Sequence, residues 1–310
     1  MHKVRIGTRG SPLALWQAHF VRDTLASHFP DQEIDLVILD TKGDQIRDRA
    51  LSQIGSDGLF TKEIQLALLD KSVDIAVHSL KDLPTAKVPG LRLAAIPKRG
   101  STGDAFVSNT IESFDALPKN ATVGTTSLRR RSQAMHRRPD LNLVHLRGNV
   151  ETRLNKIETE KLDGIILAEA GLIRLGFENR IKEILDPEWM LPAVGQGALG
   201  LECREDDSKT LQLLSKLDDP QTNAETTAER SLLRNLGGGC LVPVGIRTKT
   251  VGEVISLTAV VLSEDGKQRI ISEETGPLVE AEEIGQRLAE KMKKGGAEKI
   301  LAGIRPAKPS

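Results

Sequence analysis

Short apolar runs and helix-period stretches alternate through most of the chain. Val4 to Gly7 reads as a strand, and Ser11-Pro12 opens a helix with Ser as N-cap and Pro in the first turn. Leu13, Leu15, Trp16, Phe20, Val21 and Leu25 give that helix one apolar face. Glu33 to Leu39 alternates and then runs apolar, as a partly buried strand does. Residues 41–58 are polar and punctuated by glycine, a long loop of the kind that usually carries function. A helix from Phe60 to Leu69 and a strand from Asp74 to His78 follow. Strand–helix–strand alternation of this kind predicts a largely parallel sheet.

A second unit of the same type begins near Lys98. Its strands are Thr122–Gly124, Leu141–Leu146 and Asp163–Ala168, and its helices are a basic one capped by Ser127 and one over Asn149–Glu158. The pattern changes near Asp218-Asp219-Pro220. A helix over Ala224–Leu236, strands over Val254–Leu262 and Gln268–Ser272, and a helix over Ala281–Lys294 predict a small α+β unit. The expected architecture is α/β, with two similar lobes around a central cleft and an α+β C-terminal domain. The boundaries expected are 1–97 with 198–217, then 98–197, then 218–310.

Composition narrows the function classes. Of 310 residues, 43 are Lys or Arg and 43 are Asp or Glu, so the protein as a whole is not a polyanion binder and charge has to be read locally. The first residues form a charged strand, not a signal peptide, and no apolar run approaches the length of a membrane span. Cys203 and Cys240 are far apart, which gives no disulfide framework and fits a reducing cytoplasm. No HExxH or CxxC metal motif is present. Nucleic-acid binding would call for aromatic or long basic surfaces, yet residues 121–176 contain no Phe, Trp or Tyr.

Three expected helix starts set hydroxyls or amides beside arginine. They are Thr8-Arg9-Gly10-Ser11, Thr125-Thr126-Ser127-Leu128-Arg129-Arg130 and Arg147-Gly148-Asn149-Val150-Glu151-Thr152-Arg153. Free N–H groups and the helix dipole favour an anion there, and the guanidinium fork matches a carboxylate. Residues 129–153 hold seven arginines and no lysine, which favours shaped recognition over diffuse charge; a solvated basic face is the competing reading. Asp82 follows the strand that ends at His78. It is placed either for chemistry at a sheet's carboxyl end or as a cap on the turn before Pro84. Cys240, in Gly237-Gly238-Gly239-Cys240, is either a thiol that a bulky ligand can approach or a buried core residue. Gly195-Gln196-Gly197-Ala198-Leu199-Gly200 matches GxGxxG, but a strand-like run follows it instead of a helix, so it reads as a crossover between lobes. Cys203 in that run reads as core.

Taken together in order, these segments resemble the porphobilinogen deaminase (hydroxymethylbilane synthase) family. The matching stretches are Ile6–Ala14, Gly58–Glu63, His78–Pro84, Gly124–Arg130, Arg147–Leu154, Pro192–Ala198 and the Cys240 loop. The resemblance implies two lobes like those of periplasmic binding proteins. It also implies a transferase that joins four porphobilinogen molecules head to tail into hydroxymethylbilane, releasing ammonia. A dipyrromethane cofactor would be held through a thioether to Cys240, and Asp82 would be the catalytic carboxylate. The residue-wise match places Lys81, Ser127, Arg129, Arg130 and Gly148 at the cofactor. It places Arg9, Ser11, Phe60, Thr125, Thr126, Arg147, Arg153 and Arg174 at the substrate. A cytoplasmic monomer follows, with the product passed to the next tetrapyrrole enzyme and no nucleic acid, membrane or metal involved. Gln53 and Asp57 stand where relatives often carry lysine, and Glu169 replaces a usually small or apolar residue. The competing reading from another class is a non-catalytic binding protein for an anionic metabolite.

Overall fold

A computed structural model describes residues 3–41, 61–237 and 242–304. The first lobe contains β1 (Val4–Thr8), α1 (Pro12–His28), β2 (Ile34–Ile38), α2 (Lys62–Leu69), β3 (Ile75–Ser79) and β4 (Leu91–Ala95). The second contains β5 (Asp104–Val107), β6 (Thr122–Gly124), α3 (Leu128–Arg137), β7 (Asn142–Val144), α4 (Val150–Thr159), β8 (Gly164–Ala168), α5 (Glu169–Arg174) and β9 (Ile181–Leu185). The chain then returns to the first lobe as β10 (Leu199–Arg204) and α6 (Ser208–Leu214).

Both sheets follow one plan. The first has the order β2-β1-β3-β10-β4 and the second β7-β6-β8-β5-β9. In each, the fourth strand is antiparallel to its neighbours. That strand is the first one laid down after the chain crosses between lobes. These strands are short and buried on both faces, so they lack the polar–apolar alternation that betrays a half-exposed strand. The longer of the two, Leu199–Cys203, stands out in the sequence as an apolar run, whereas the four-residue β5 does not; β4 and β9, which are partly exposed edge strands, were also missed.

The third unit is an antiparallel sheet of β11 (Val244–Val251), β12 (Val254–Leu262) and β13 (Arg269–Pro277). It packs against α7 (Pro220–Asn235), α8 (Ala281–Lys294) and α9 (Ala297–Ala302) around a core that includes Leu232, Leu257, Leu288 and Met292. Helix α7 starts earlier than the pattern predicts. Asp219 accepts the Thr222 N–H at 2.8 Å and Pro220 occupies the first turn, two start signals that outweigh the polar residues up to Asn223. Strand β13 runs on to Pro277 because β12 pairs with it throughout. No helix among the described residues is long and apolar enough to cross a membrane.

The two crossings between lobes run side by side and are fastened by the third unit. Arg99, on the first crossing, donates to the Gln196 carbonyl on the second at 2.8 Å. Its two terminal nitrogens meet the Glu229 carboxylate of α7 at 2.6 and 3.0 Å. Glu229 also accepts the Gly195 N–H at 2.7 Å and the Thr248 hydroxyl at 2.8 Å. Gly197 has φ +83°, and a Cβ there would lie 2.4 Å from the Ser101 carbonyl oxygen, so only glycine lets the crossings touch. Removing one member of a buried ion pair strands the other charge. Arg99→Met is therefore expected to lower the unfolding free energy by about 3–5 kcal/mol, read from urea denaturation. A loss below about 1 kcal/mol would show that water reaches this pair and screens it.

Candidate active site

Strand β3 delivers the first group of side chains. After Ser79 the chain tightens into a 3₁₀ turn, Leu80–Asp82, anchored by the buried Leu80. The Leu83 N–H bonds to the Leu80 carbonyl, and Arg230 of α7 donates to the Leu83 and Pro84 carbonyls at 2.9 and 2.8 Å. The turn is thus closed by backbone and Arg230. The exposed Asp82 carboxylate accepts no hydrogen bond among the described residues, so it does not act as the turn's cap. It lines a pocket with Arg9 and Ser11, from the start of α1, and with Gln17, which donates to Ser79 at 2.8 Å. His78 is no turn residue: it lies inside β3, buried, 3.0 Å from Glu202. Burial opposes the Glu202 charge, but His78 and Gln65 hold its pKa below the ordinary value.

The second lobe supplies cations from its helix starts. Ser127 caps α3 by accepting the Arg130 N–H, and Asn149 caps α4 by accepting the Thr152 N–H at 2.8 Å. Between these caps, Thr126 exchanges hydrogen bonds with the Leu146 backbone, which pins the β6–α3 turn to the segment leading to Arg147. Gly148 takes φ +115°, and a Cβ there would lie 2.6 Å from Thr152. Arg153 stands one turn into α4. Arg174 ends α5, donating to the Gly197 carbonyl at 2.6 Å with its guanidinium 5.4 Å from the Trp16 ring centroid in the other lobe.

These groups act on one another electrostatically across the lobes. Burial pushes the Lys81 ammonium down to about 8; Asp82 opposes that shift and Arg130 adds to it. Burial likewise pushes Arg153 down to about 10, with Arg130 and Arg147 adding to it and Asp82 opposing. Lys81 and Asp82 therefore share a site with Arg130, Arg147 and Arg153. Among the described residues, the buried Thr125 Oγ1, Arg129 Nε and Arg153 Nε have no hydrogen-bond partner.

The sequence reading missed Asp104, at the start of β5. Its fully buried carboxylate receives Arg129 at 2.6 and 3.2 Å, Arg130 at 2.9 and 2.7 Å, and Gln196 Nε2 at 3.0 Å. Burial works against its charge, yet the two guanidinia outweigh burial and hold its pKa well below the carboxylate range. Arg129 and Arg130 are thus committed to an internal acid as well as lying beside the pocket. A lone Asp opening an apolar strand, Asp104-Ala105-Phe106-Val107, was the available signal. Arg137 and Arg138 pair with Asp115 and Asp140 away from the site. Cys203 is core, its thiol pushed up to about 12 by burial and so unreactive. The Gly195–Gly200 segment leads into β10, as a crossover. Phe60, Gln53, Asp57, Cys240 and the loop from residue 42 to 58 lie outside the described residues. Glu169 accepts a hydrogen bond from Ser101 beside the crossing.

Residues 4–212 match the family model described as "Porphobilinogen deaminase, dipyromethane cofactor binding domain", and residues 223–294 match "Porphobilinogen deaminase, C-terminal domain". The chain belongs to the porphobilinogen deaminase family. A relative from Desulforamulus reducens named porphobilinogen deaminase is 47% identical over 304 residues, covering 98% of each chain. Another from Syntrophotalea carbinolica is 48% identical over 301 residues, covering 97% of this chain and 96% of the relative. Among solved structures, a putative methionine-binding lipoprotein from Bacillus subtilis aligns with a TM-score of 0.43 at 12% identity, over 69% of this chain and 89% of its own.

Arg153 has no ion pair among the described residues, and Asp82 only partly offsets the cost of burying its charge. Arg153→Met keeps the stem's packing and removes the charge. It is expected to raise the unfolding free energy by about 1 kcal/mol, measured by urea denaturation without added ligand. A fall in stability would mean that the guanidinium supports the fold itself.

Proposed function

We propose that this protein is a transferase that joins four porphobilinogen molecules head to tail into hydroxymethylbilane, with release of ammonia. The observation that carries the reading is that Asp82, which accepts no hydrogen bond among the described residues, acts on both Lys81 and Arg153, and that Arg130 and Arg147 act on the same cations, in a chain of this family. The pyrrole substrate bears acetate and propionate arms, and a wall of cations answers those charges. A dipyrromethane group held at Cys240 would supply the pyrrole terminus for the growing product.

The residues present fit an anionic pyrrole ligand, whether cofactor or substrate. Among the described residues the buried Thr125 Oγ1 and Arg153 Nε have no hydrogen-bond partner, which calls for a polar ligand, and the charges of Lys81, Arg130 and Arg153 call for an anionic one. Lys81, Ser127, Arg129, Arg130 and Gly148 would hold the cofactor. Arg9, Ser11, Phe60, Thr125, Thr126, Arg147, Arg153 and Arg174 would hold the arms of the incoming substrate. Fixing both arms orients the ring before reaction. Asp82 would accept the pyrrole N–H and stabilise positive charge as ammonia departs, its carboxylate accepting no hydrogen bond among the described residues. We assign the protein to the cytoplasm as a monomer whose product passes to the next tetrapyrrole enzyme.

Intact-protein mass spectrometry tests the assignment. The wild type should carry an increment of two pyrrole units, Cys240→Ala should carry none and form no tetrapyrrole, and Asp82→Asn should lose at least about a hundredfold in turnover. Normal turnover by Cys240→Ala would overturn the assignment; an unloaded wild type that binds the substrate unchanged would favour the non-catalytic anion-binding protein.

The Lys81 charge gives a pH signature. Lys81 is cationic below about 8 and neutral above, so its attraction for a carboxylate is present at lower pH and fades as pH rises. We expect kcat/KM for porphobilinogen to fall above about pH 8, approaching tenfold per pH unit. Lys81→Arg, permanently charged, should move that limb upward; an unchanged limb would remove Lys81 from anion binding.

A further inference from the structure

We propose that Asp104 is a positioning residue for the known family reaction: with Arg129 it forms a buried brace that presents the Arg130 guanidinium to the anionic ligand. This inference rests on the functional reading above. The five N–H groups of an arginine allow the bonds to be assigned. Arg129 places both terminal nitrogens on Asp104, at 2.6 and 3.2 Å, and one of them also on the Leu191 carbonyl at 2.6 Å. Its Nε is buried without a partner. Arg129 thus turns inward and anchors the acid. Arg130 uses Nε and one terminal nitrogen on Asp104 and one N–H of the other on the Ile166 carbonyl at 3.1 Å. Each terminal nitrogen keeps one further N–H, and the guanidinium acts on both Lys81 and Arg153. Arg129 also keeps two N–H groups, the buried Nε and one on its second terminal nitrogen, so what marks Arg130 as the ligand-facing member is that it alone of the pair acts on Arg153 as well as on Lys81.

The cluster needs an anion to exist at all. Arg129 and Arg130 are adjacent in sequence, almost fully buried, and within the field of Lys81. Without Asp104 the like charges would drive the forks apart, and each would lose its fixed plane. Gln196 adds a second constraint. Its amide reaches Asp104 at 3.0 Å and the Thr102 carbonyl at 2.7 Å, so the brace is tied to both crossings between the lobes. The plane of Arg130 is set by the crossings, not by α3 alone.

The test compares wild type, Asp104→Asn, Arg129→Gln and the double variant Asp104→Asn/Arg129→Gln. Cofactor loading is read by intact mass, KM and kcat for porphobilinogen on the loaded fraction, and stability by urea denaturation. Asp104→Asn should lower stability and either cut loading or raise KM at least about tenfold, with kcat changing less. The double variant removes one charge of each sign, so it should regain stability while the loading or KM defect exceeds that of Arg129→Gln alone. Loading and KM within about twofold of wild type in Asp104→Asn, with stability reduced, would make Asp104 a residue of the fold only. If Asp104→Asn does not fold, equal loading and KM in the double variant and Arg129→Gln overturn the proposal. Wild-type protein that fails to turn over porphobilinogen overturns the functional reading and this inference together; active wild type with unaffected variants overturns this inference alone.

Discussion

The carboxylate of Glu229 is the constraint on which the arrangement of the molecule depends. It is buried and accepts four donors: two from Arg99 on the outgoing crossing, the Gly195 N–H on the returning one, and Thr248 in the third unit. A buried charge with this many donors has few alternative geometries, because any displacement leaves a donor or an acceptor unpaired in a low dielectric. The two lobes therefore meet through a seam fixed by a helix that belongs to neither. The same helix also fixes the Leu80–Asp82 turn, since Arg230, the next residue after Glu229, donates to the backbone just past Asp82.

The charges of this protein divide into two kinds. Asp104 with Arg129 and Arg130, and Glu229 with Arg99, are satisfied internally and hold the framework. Lys81 and Arg153 are pushed toward their neutral forms by burial and by neighbouring arginines. Burying the Arg153 charge, which has no ion pair among the described residues, costs stability that an anionic ligand would partly return. Trp16 adds a small apolar contribution at the seam by lying beside the Arg174 guanidinium from the opposite lobe.

The site was legible wherever its chemistry is local. Ser11, Ser127 and Asn149 were readable as caps because a cap acts on an N–H three residues ahead. The strand end before Asp82 was readable because β3 is a continuous apolar run. Asp104 was not readable, since its partners lie 25, 26 and 92 residues away. Nor could spacing tell that Arg129 turns toward Leu191 while Arg130 reaches Ile166 and acts on Arg153; the two are neighbours of one type on one helical turn.

By itself, then, the sequence determined the local elements, their caps, the arginine-rich turns, the crossover character of Gly195–Gly200 and the family. These follow from periodicity, backbone propensity and motifs that act within a few residues. Only the tertiary structure decided the antiparallel placement of β5 and β10, the clasp of Arg99 by Glu229 across 130 residues, and which cations have an internal acid. A strand's neighbour and a buried charge's partner are fixed by where distant segments pack, and no short-range pattern encodes that choice.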